Sequence, residues 1–342
     1  MRRSNIELLR IVLILFIVMH HFIVHVAFRD LFYGDSVSLE TNSAAIVNGF
    51  LYSAVNCFVL ISGYFGIKFK WRGLVNIYLI LLFYGLIDLF ASVLFNGEPL
   101  TASALKSTLL CFSHSRYWFI QCYVALYMMT PLINRGLYQL AKREYVTILL
   151  LFSVINLYLG YYWHNSIFNL TGFTTAQFVF LYIIGGYIRQ FADETSLKKS
   201  RWISLGVYVL CSLIWGGLTV YSRITYIPHW YPWGYNNPVT VVAAIAFLCF
   251  WLSFDFKSRF INSIAKGCLG VYILHSSAFL GETVLFGFVG NISSWALNRY
   301  GLFAGYFYLT LLAVVTVIVI LSIDYLRRLL VQPIWNFIDK RS

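Results

Sequence analysis

The chain has 342 residues, of which 60% are hydrophobic and only 11% are charged, and its mean hydropathy is +0.75. A soluble domain carries roughly 25% charged residues, so the composition excludes a soluble enzyme and predicts a polytopic membrane protein. The formal net charge of +12 points at first sight to a nucleic-acid partner.

Ten apolar segments are predicted to cross the bilayer as helices. They cover residues 6–28, 44–67, 74–96, 117–134, 146–163, 174–192, 202–222, 238–254, 269–289 and 303–327. With a cytoplasmic N-terminus, nineteen of the 25 Lys and Arg residues fall on the inner side, five fall on the outer side, and Arg10 lies in the first segment. This asymmetry follows the positive-inside rule, so the basic charge sets topology and no nucleic-acid partner is expected. We predict an all-α integral membrane bundle of about ten transmembrane helices with both termini cytoplasmic.

The predicted loops are short, and none is large enough to form a soluble domain. We therefore expect one membrane domain, residues 1–327, whose function takes place in the membrane in contact with lipid. Residues 328–342 alternate apolar and basic side chains, a pattern typical of a helix lying on the inner leaflet. The six cysteines have no Cys-x-x-Cys spacing and are predicted to be buried apolar residues.

The first segment carries Glu7, Arg10, His20, His21 and His25, which cost several kcal/mol each in hydrocarbon unless paired or hydrated. Arg10 and His21 are eleven residues apart, so on a helix they return to within roughly 20° of one face, roughly 16 Å apart along the axis. One interpretation is that His21 takes a proton from a nucleophile or relays protons. The alternative is that Arg10 reaches the inner headgroups while the histidines bond to neighbouring helices. No acidic or cysteine ligand accompanies the three histidines, so no metal is expected.

Two further ionisable residues inside predicted helices need partners. Asp88 is expected either to orient a histidine or to bond to a Tyr or Ser side chain. Glu282 follows His275 by seven residues, within roughly 20° of the same helix face, so both are expected to face one cavity. The alternative for His275 is an interior histidine with a purely structural role.

Aromatic and polar residues collect on the predicted outer side. Arg116, Tyr117 and Trp118 form the entry to the fourth helix, close to His114, and residues 226–235 are dense in rings and include His229. Trp and Tyr at this depth are typical of an interfacial belt. Their flat faces could instead stack on a sugar ring of a substrate.

Several stretches share the pattern of one known family. They are Ile-Glu-Leu-Leu-Arg10 followed by ten residues and His21; Phe58-Val-Leu-Ile-Ser-Gly-Tyr-Phe65; the basic cluster Lys68, Lys70 and Arg72; Tyr117-Trp-Phe119 with Tyr127 and Pro131; and Gly270-Val-Tyr-Ile-Leu-His275. Together these stretches resemble the membrane-bound acyltransferase-3 family, the bacterial integral-membrane O-acyltransferases of surface polysaccharides. The resemblance covers essentially the whole chain.

The resemblance implies a bacterial inner-membrane enzyme that transfers an acyl group, usually acetyl, from cytoplasmic acyl-CoA to a hydroxyl of a glycan or lipid-linked sugar. His21 would act as general base or acyl carrier together with Arg10. The donor's phosphates would contact Arg10 and the basic cluster, and the substrate cavity would be lined by Arg116, Tyr117, Trp118, Asp88, His275 and Glu282.

The chain departs from the family pattern at two places. Many members carry a carboxylate pair at the positions of Tyr123 and Val124, so no carboxylate role is transferred there. Position 69 is Phe, so Lys68, Lys70 and Arg72 are transferred as a patch.

The residues also leave two other functions open. A proton-coupled exporter or flippase of a glycan or lipid would use the buried His, Asp and Glu side chains as a relay. A non-catalytic membrane partner of a glycan assembly complex would have no evident need for them.

Overall fold

The computed structural model describes residues 3–29, 37–113, 115–163, 167–168, 171–225 and 233–339. In these residues every regular element is a helix, which confirms the all-α class. The α-helices, in chain order, are α1 (Ser4–Phe22), α2 (Leu39–Leu51), α3 (Ala54–Phe65), α4 (Trp71–Asn96), α5 (Ala102–Leu109), α6 (Trp118–Leu137), α7 (Lys142–Ser153), α8 (Thr175–Phe191), α9 (Glu194–Lys199), α10 (Arg201–Thr225), α11 (Pro238–Leu252), α12 (Arg259–Ile264), α13 (Cys268–His275), α14 (Phe286–Tyr300) and α15 (Leu302–Asp339). Three π-helical stretches adjoin them: Ile23–Ala27, Val154–Tyr162 and Ala278–Leu285.

All ten predicted apolar segments form helices, but not all of these helices are candidate spans. In the described residues, six are long and apolar enough to cross a membrane: Ser4–Ala27, Leu39–Phe65, Trp71–Asn96, Lys142–Tyr162, Arg201–Thr225 and Leu302–Val331. A seventh arises if the bent pair Arg259–His275 and Ala278–Tyr300 counts as one span. The helices α6, α8 and α11 are too short or too polar by the same measure. The predicted count of ten and the cytoplasmic termini are therefore not confirmed.

The chain divides into two compact units. Within the described residues the first unit contains 3–27, 80–109 and 256–339, and the second contains 28–79 and 110–255. The predicted boundary between residues 327 and 328 falls inside α15, which continues to Asp339. Whether the end of this helix lies on a membrane surface stays a prediction.

In the first unit, α1 packs against α12, α13 and α15. Leu9, Leu13, Val18 and Phe22 of α1 are fully buried. At about 100° per residue, Val18 and Phe22 lie on the side of the helix opposite Leu9 and Leu13, so α1 is covered on both sides. α1 is therefore an interior helix of this unit.

A buried ionic cluster joins α4 and α15 within the first unit. Asp324 is 1% exposed and accepts hydrogen bonds from Nε of Arg327 at 2.8 Å and Nε of Arg328 at 2.9 Å. The hydroxyl of Tyr84 in α4 donates to the same carboxylate at 3.1 Å. Because a buried carboxylate is costly unless paired and hydrogen-bonded, these three donors explain how Asp324 is tolerated.

In the second unit, α3 and α8 approach each other closely enough for backbone contact. A β-carbon at Gly63 would overlap the carbonyl oxygen of Tyr182, and one at Gly185 would overlap that of Leu60. Nearby, the ring of Tyr52 stacks between Trp215 and Tyr235, with centroids 4.7 and 4.9 Å away. Small residues and stacked rings thus hold this unit together.

Candidate active site

His21 lies in the last turn of α1, where the α-helix changes into the π-helical stretch Ile23–Ala27. Such stretches are frequent at functional sites. The side chain is half-buried, and the rings of His20 and His25 lie nearby, with centroids 5.4 and 5.2 Å from its own. No group of three His, Cys, Asp or Glu side chains in the described part of the chain is arranged to hold a metal ion.

His275, at the end of α13, forms a hydrogen bond with His21, although 254 residues separate them. Nε2 of His275 lies 2.9 Å from Nδ1 of His21, and the two rings stack with centroids 4.9 Å apart. His275 is 0% exposed, and a buried imidazole needs partners for its ring nitrogens. Its Nδ1 lies 2.7 Å from the carbonyl oxygen of Val271.

These two hydrogen bonds fix the tautomers of both rings when they are neutral. A carbonyl oxygen only accepts, so Nδ1 of His275 carries the hydrogen and its Nε2 is an acceptor. Nδ1 of His21 must then donate, which leaves the lone pair of His21 on Nε2. The described residues supply no hydrogen-bond partner for that nitrogen. His21 therefore has a fixed orientation, and its unprotonated Nε2 can act as a base towards a bound substrate.

The chain bends by 76° directly after His275, between Arg259–His275 and Ala278–Tyr300. Asp88 of α4 stabilises the helix that follows the bend. Its Oδ1 accepts from the hydroxyl of Ser277 at 2.7 Å and from the backbone N–H of Leu280 at 2.8 Å. The first N–H groups of a helix lack partners within it, so the carboxylate acts as a cap. Of the two partners expected for Asp88, a histidine or a Tyr or Ser, the structure shows a serine.

The expectation that Glu282 and His275 share a helix face is wrong. It assumed one continuous helix from 269 to 289, whereas the chain bends after His275 and continues as the π-helical stretch Ala278–Leu285. The side chain of Glu282 is exposed. Its role in binding a substrate therefore rests on the resemblance alone.

Arg10 lies on the uninterrupted helix α1, eleven residues before His21. The shared face and the separation of roughly 16 Å therefore follow from helix geometry. Nη1 of Arg10 is 3.1 Å from Oε1 of Glu7, and the two side chains are 28% and 6% exposed. A guanidinium has five N–H donors, so the bond to Glu7 leaves others available for a ligand.

The other predicted site residues belong to the second unit. Lys68, Lys70 and Arg72 are exposed around the start of α4. Arg116 is exposed, whereas Tyr117 and Trp118 are half-buried at the start of α6.

Trp118 is part of an aromatic stack. Its ring centroid lies 5.4 Å from that of Tyr235 and 6.0 Å from that of Phe178. His114 and His229 lie outside the described residues. A role for these rings in binding a sugar stays a prediction.

The sequence named His21 and His275 separately but did not predict their hydrogen bond. It also missed the capping role of Asp88. Here a signal was available, because Ser277 in the middle of an apolar segment is a typical N-cap residue and indicates a new helix. The sequence analysis also missed Asn134 and Tyr182, whose side chains bond to the backbone of Ile67, next to Lys68.

The comparisons with known proteins agree with the composition and the helices. The family model described as an acyltransferase domain, that of the acyltransferase-3 family, matches residues 3–325. No curated protein matches the chain, and no solved structure matches it. The match covers nearly the whole sequence and includes every predicted site residue. The chain therefore belongs to the acyltransferase-3 family and is a multi-pass membrane acyltransferase.

Proposed function

We propose that this acyltransferase moves an acetyl group from cytoplasmic acetyl-CoA to a hydroxyl of a cell-surface polysaccharide or lipid-linked sugar, in the bacterial cytoplasmic membrane. The observation that carries the proposal is the hydrogen bond between His275 and His21, 2.9 Å long, which leaves the lone pair of His21 on Nε2. A general base at this position suits the deprotonation of an alcohol.

The reaction needs one proton acceptor and one proton donor, and His21 serves as both. Nε2 of His21 takes the proton of the acceptor hydroxyl while its oxygen forms a bond to the carbonyl carbon of the thioester. The carbon–sulfur bond then breaks, and the imidazolium returns the proton to the leaving thiolate, giving free CoA and the ester. During the step the positive charge on His21 is stabilised because its Nδ1–H donates to His275.

Arg10 suits the charged end of the donor. Coenzyme A carries its phosphates far from its thioester, and Arg10 is separated from His21 by roughly 16 Å along α1. Guanidinium groups bind phosphates through paired N–H donors. We propose the same phosphate-binding role for Lys68, Lys70 and Arg72. Arg116, Tyr117 and Trp118 are proposed to contact the sugar acceptor, the two aromatic rings by stacking.

The decisive experiment uses the purified full-length protein in lipid nanodiscs with radiolabelled acetyl-CoA, and follows the release of free CoA with a glycan or lipid-linked sugar acceptor. His21→Ala and Arg10→Ala should each abolish or strongly reduce release, while His20→Ala should be much milder. Wild-type release by His21→Ala would refute the assignment. Substrate movement across a membrane without any requirement for acyl-CoA would favour the exporter instead.

A further inference from the structure

The short connection between α3 and α4 is held by side chains from two other helices. The hydroxyl of Tyr182 in α8 accepts the backbone N–H of Ile67 at 2.7 Å and donates to Oδ1 of Asn134 in α6 at 2.8 Å. Nδ2 of Asn134 donates to the carbonyl of the same Ile67 at 2.7 Å. Both backbone polar groups of Ile67 are thus fixed by side chains.

Tyr127 of α6 fixes the connection at a second point. Its hydroxyl accepts the backbone N–H of Lys70 at 2.9 Å and lies 3.0 Å from the Lys70 carbonyl, to which it donates. The ring is buried, and the hydroxyl occupies space that a β-carbon at Gly73 would fill. The backbone from residue 67 to residue 70 is therefore anchored at both ends.

The side chains carried by this anchored backbone are basic and exposed. Lys68 and Lys70 have no ion-pair partner among the described residues, and Arg72 is exposed at the second position of α4. Charge that only sets topology needs no fixed backbone, because the positive-inside rule depends on the number of basic residues near a helix end. A fixed backbone does help a binding site, since less freedom is lost when a ligand binds.

We propose that Tyr127, Asn134 and Tyr182 are positioning residues that pre-organise Lys68, Lys70 and Arg72 as a binding site for the phosphates of the acyl donor. The inference rests on the proposed function for the identity of the donor. The ligand chemistry is that of a nucleotide bearing several phosphate groups, which ammonium and guanidinium groups bind through charge-assisted hydrogen bonds.

The test measures binding and needs no turnover. Adenosine 3′,5′-bisphosphate is titrated into full-length protein in nanodiscs, and its affinity is compared between variants. Tyr127→Phe removes only the hydroxyl and its two hydrogen bonds to the Lys70 backbone, and should weaken binding by roughly three- to tenfold because more backbone freedom is then lost when the ligand binds. Replacing Lys68 and Lys70 together by Gln should weaken it at least as much and reduce its dependence on salt.

Tyr145→Phe is the matched control. Its hydroxyl is also buried and donates to a backbone carbonyl, that of Ile183 at 2.9 Å, but it does not bond to the connection. This variant should bind the nucleotide as the wild type does. In turnover assays Tyr127→Phe should raise the KM for acetyl-CoA more than it lowers kcat.

Equal affinities of Tyr127→Phe and Tyr145→Phe would overturn the inference even if the protein transfers acetyl groups. The inference also fails if the lysine variants change only the retention of phosphatidylglycerol and leave nucleotide binding intact, because the phosphate is then that of a lipid. If nucleotide binding depends on Tyr127 but no acyl transfer occurs, the binding site is supported and the proposed function is refuted.

Discussion

Replacing His275 by Phe tests the role of the histidine pair directly. The substitution keeps an aromatic ring in a position that is 0% exposed, but it removes the acceptor for Nδ1–H of His21. The His21 ring then loses both its fixed tautomer and its fixed orientation. We expect kcat to fall while the KM for acetyl-CoA stays close to that of the wild type.

The size of the effect follows from the charge that His21 gains. In the ground state the bond to His275 is neutral, whereas in the transition state the donor is an imidazolium. Hydrogen bonds to charged groups contribute roughly 1.5–3 kcal/mol. Since about 1.4 kcal/mol corresponds to a factor of ten in rate, kcat should fall roughly 10- to 100-fold. Removing the base itself by His21→Ala should cost more, about 10²- to 10⁴-fold.

The assay is the release of free CoA by each single variant and by the double variant, with unfolding temperatures as a check on folding. If His275 acts only through His21, adding His275→Phe to His21→Ala should cause no further loss. Multiplicative losses in the double variant, or a folded His275→Phe protein with normal kcat, would refute the reasoning.

Three other substitutions test the cap beside His275 and two features of the second unit. Asp88→Asn should lower stability by roughly 1–3 kcal/mol and reduce kcat, because the amide nitrogen that replaces Oδ2 cannot accept from the backbone N–H of Phe279 and the negative charge at the start of the helix is lost; unfolding and turnover are measured together. Gly63→Ala should cost roughly 1–3 kcal/mol, because its β-carbon meets the Tyr182 backbone, whereas Gly217→Ala, with open space around it, should be nearly neutral in the same unfolding assay. Asp193 caps α9, and the backbone N–H of Ser196 holds the pKa of this carboxyl below its usual value. A carboxyl whose pKa is lower in the folded than in the unfolded protein stabilises the fold at pH values above its unfolded pKa. This stabilisation is lost as the pH falls through the pKa of the folded protein. The difference in unfolding temperature between wild type and Asp193→Ala should therefore be present at pH 7 and disappear in acid.

The positions of the helices were predictable because hydropathy reports them directly. All ten apolar segments form helices, most of them within a few residues of the predicted bounds, but the ninth continues to Tyr300 and the tenth to Asp339. Breaks inside a segment were harder to predict, because apolar side chains continue through them. Ser277 indicates a new helix after His275, but the carboxylate of Asp88 that caps this helix is 189 residues away in the sequence, so local pattern alone could not identify it.

The sequence predicted individual residues of the candidate site but not the hydrogen bonds between them. Helix periodicity placed Arg10 and His21 on one face, and α1 bears this out. The same periodicity failed for Glu282 because it was applied across a bend. The partner of His21 depends on how α1 and α13 pack, which is a tertiary property that neither helix encodes alone.

The pairing of two histidines has a physical reason in a membrane protein. Catalytic bases are often oriented by a carboxylate, but a carboxylate beside His21 would have to be buried among apolar helices, where an unpaired charge is very costly. His275 supplies the acceptor as a neutral ring, and the carbonyl of Val271 fixes its tautomer. His275 also lies at the carbonyl end of α13, where the helix dipole favours a neighbouring positive charge. A backbone carbonyl, a neutral ring and a helix end can therefore stabilise the imidazolium that forms at His21 during the reaction, and no permanently charged partner has to be buried beside it.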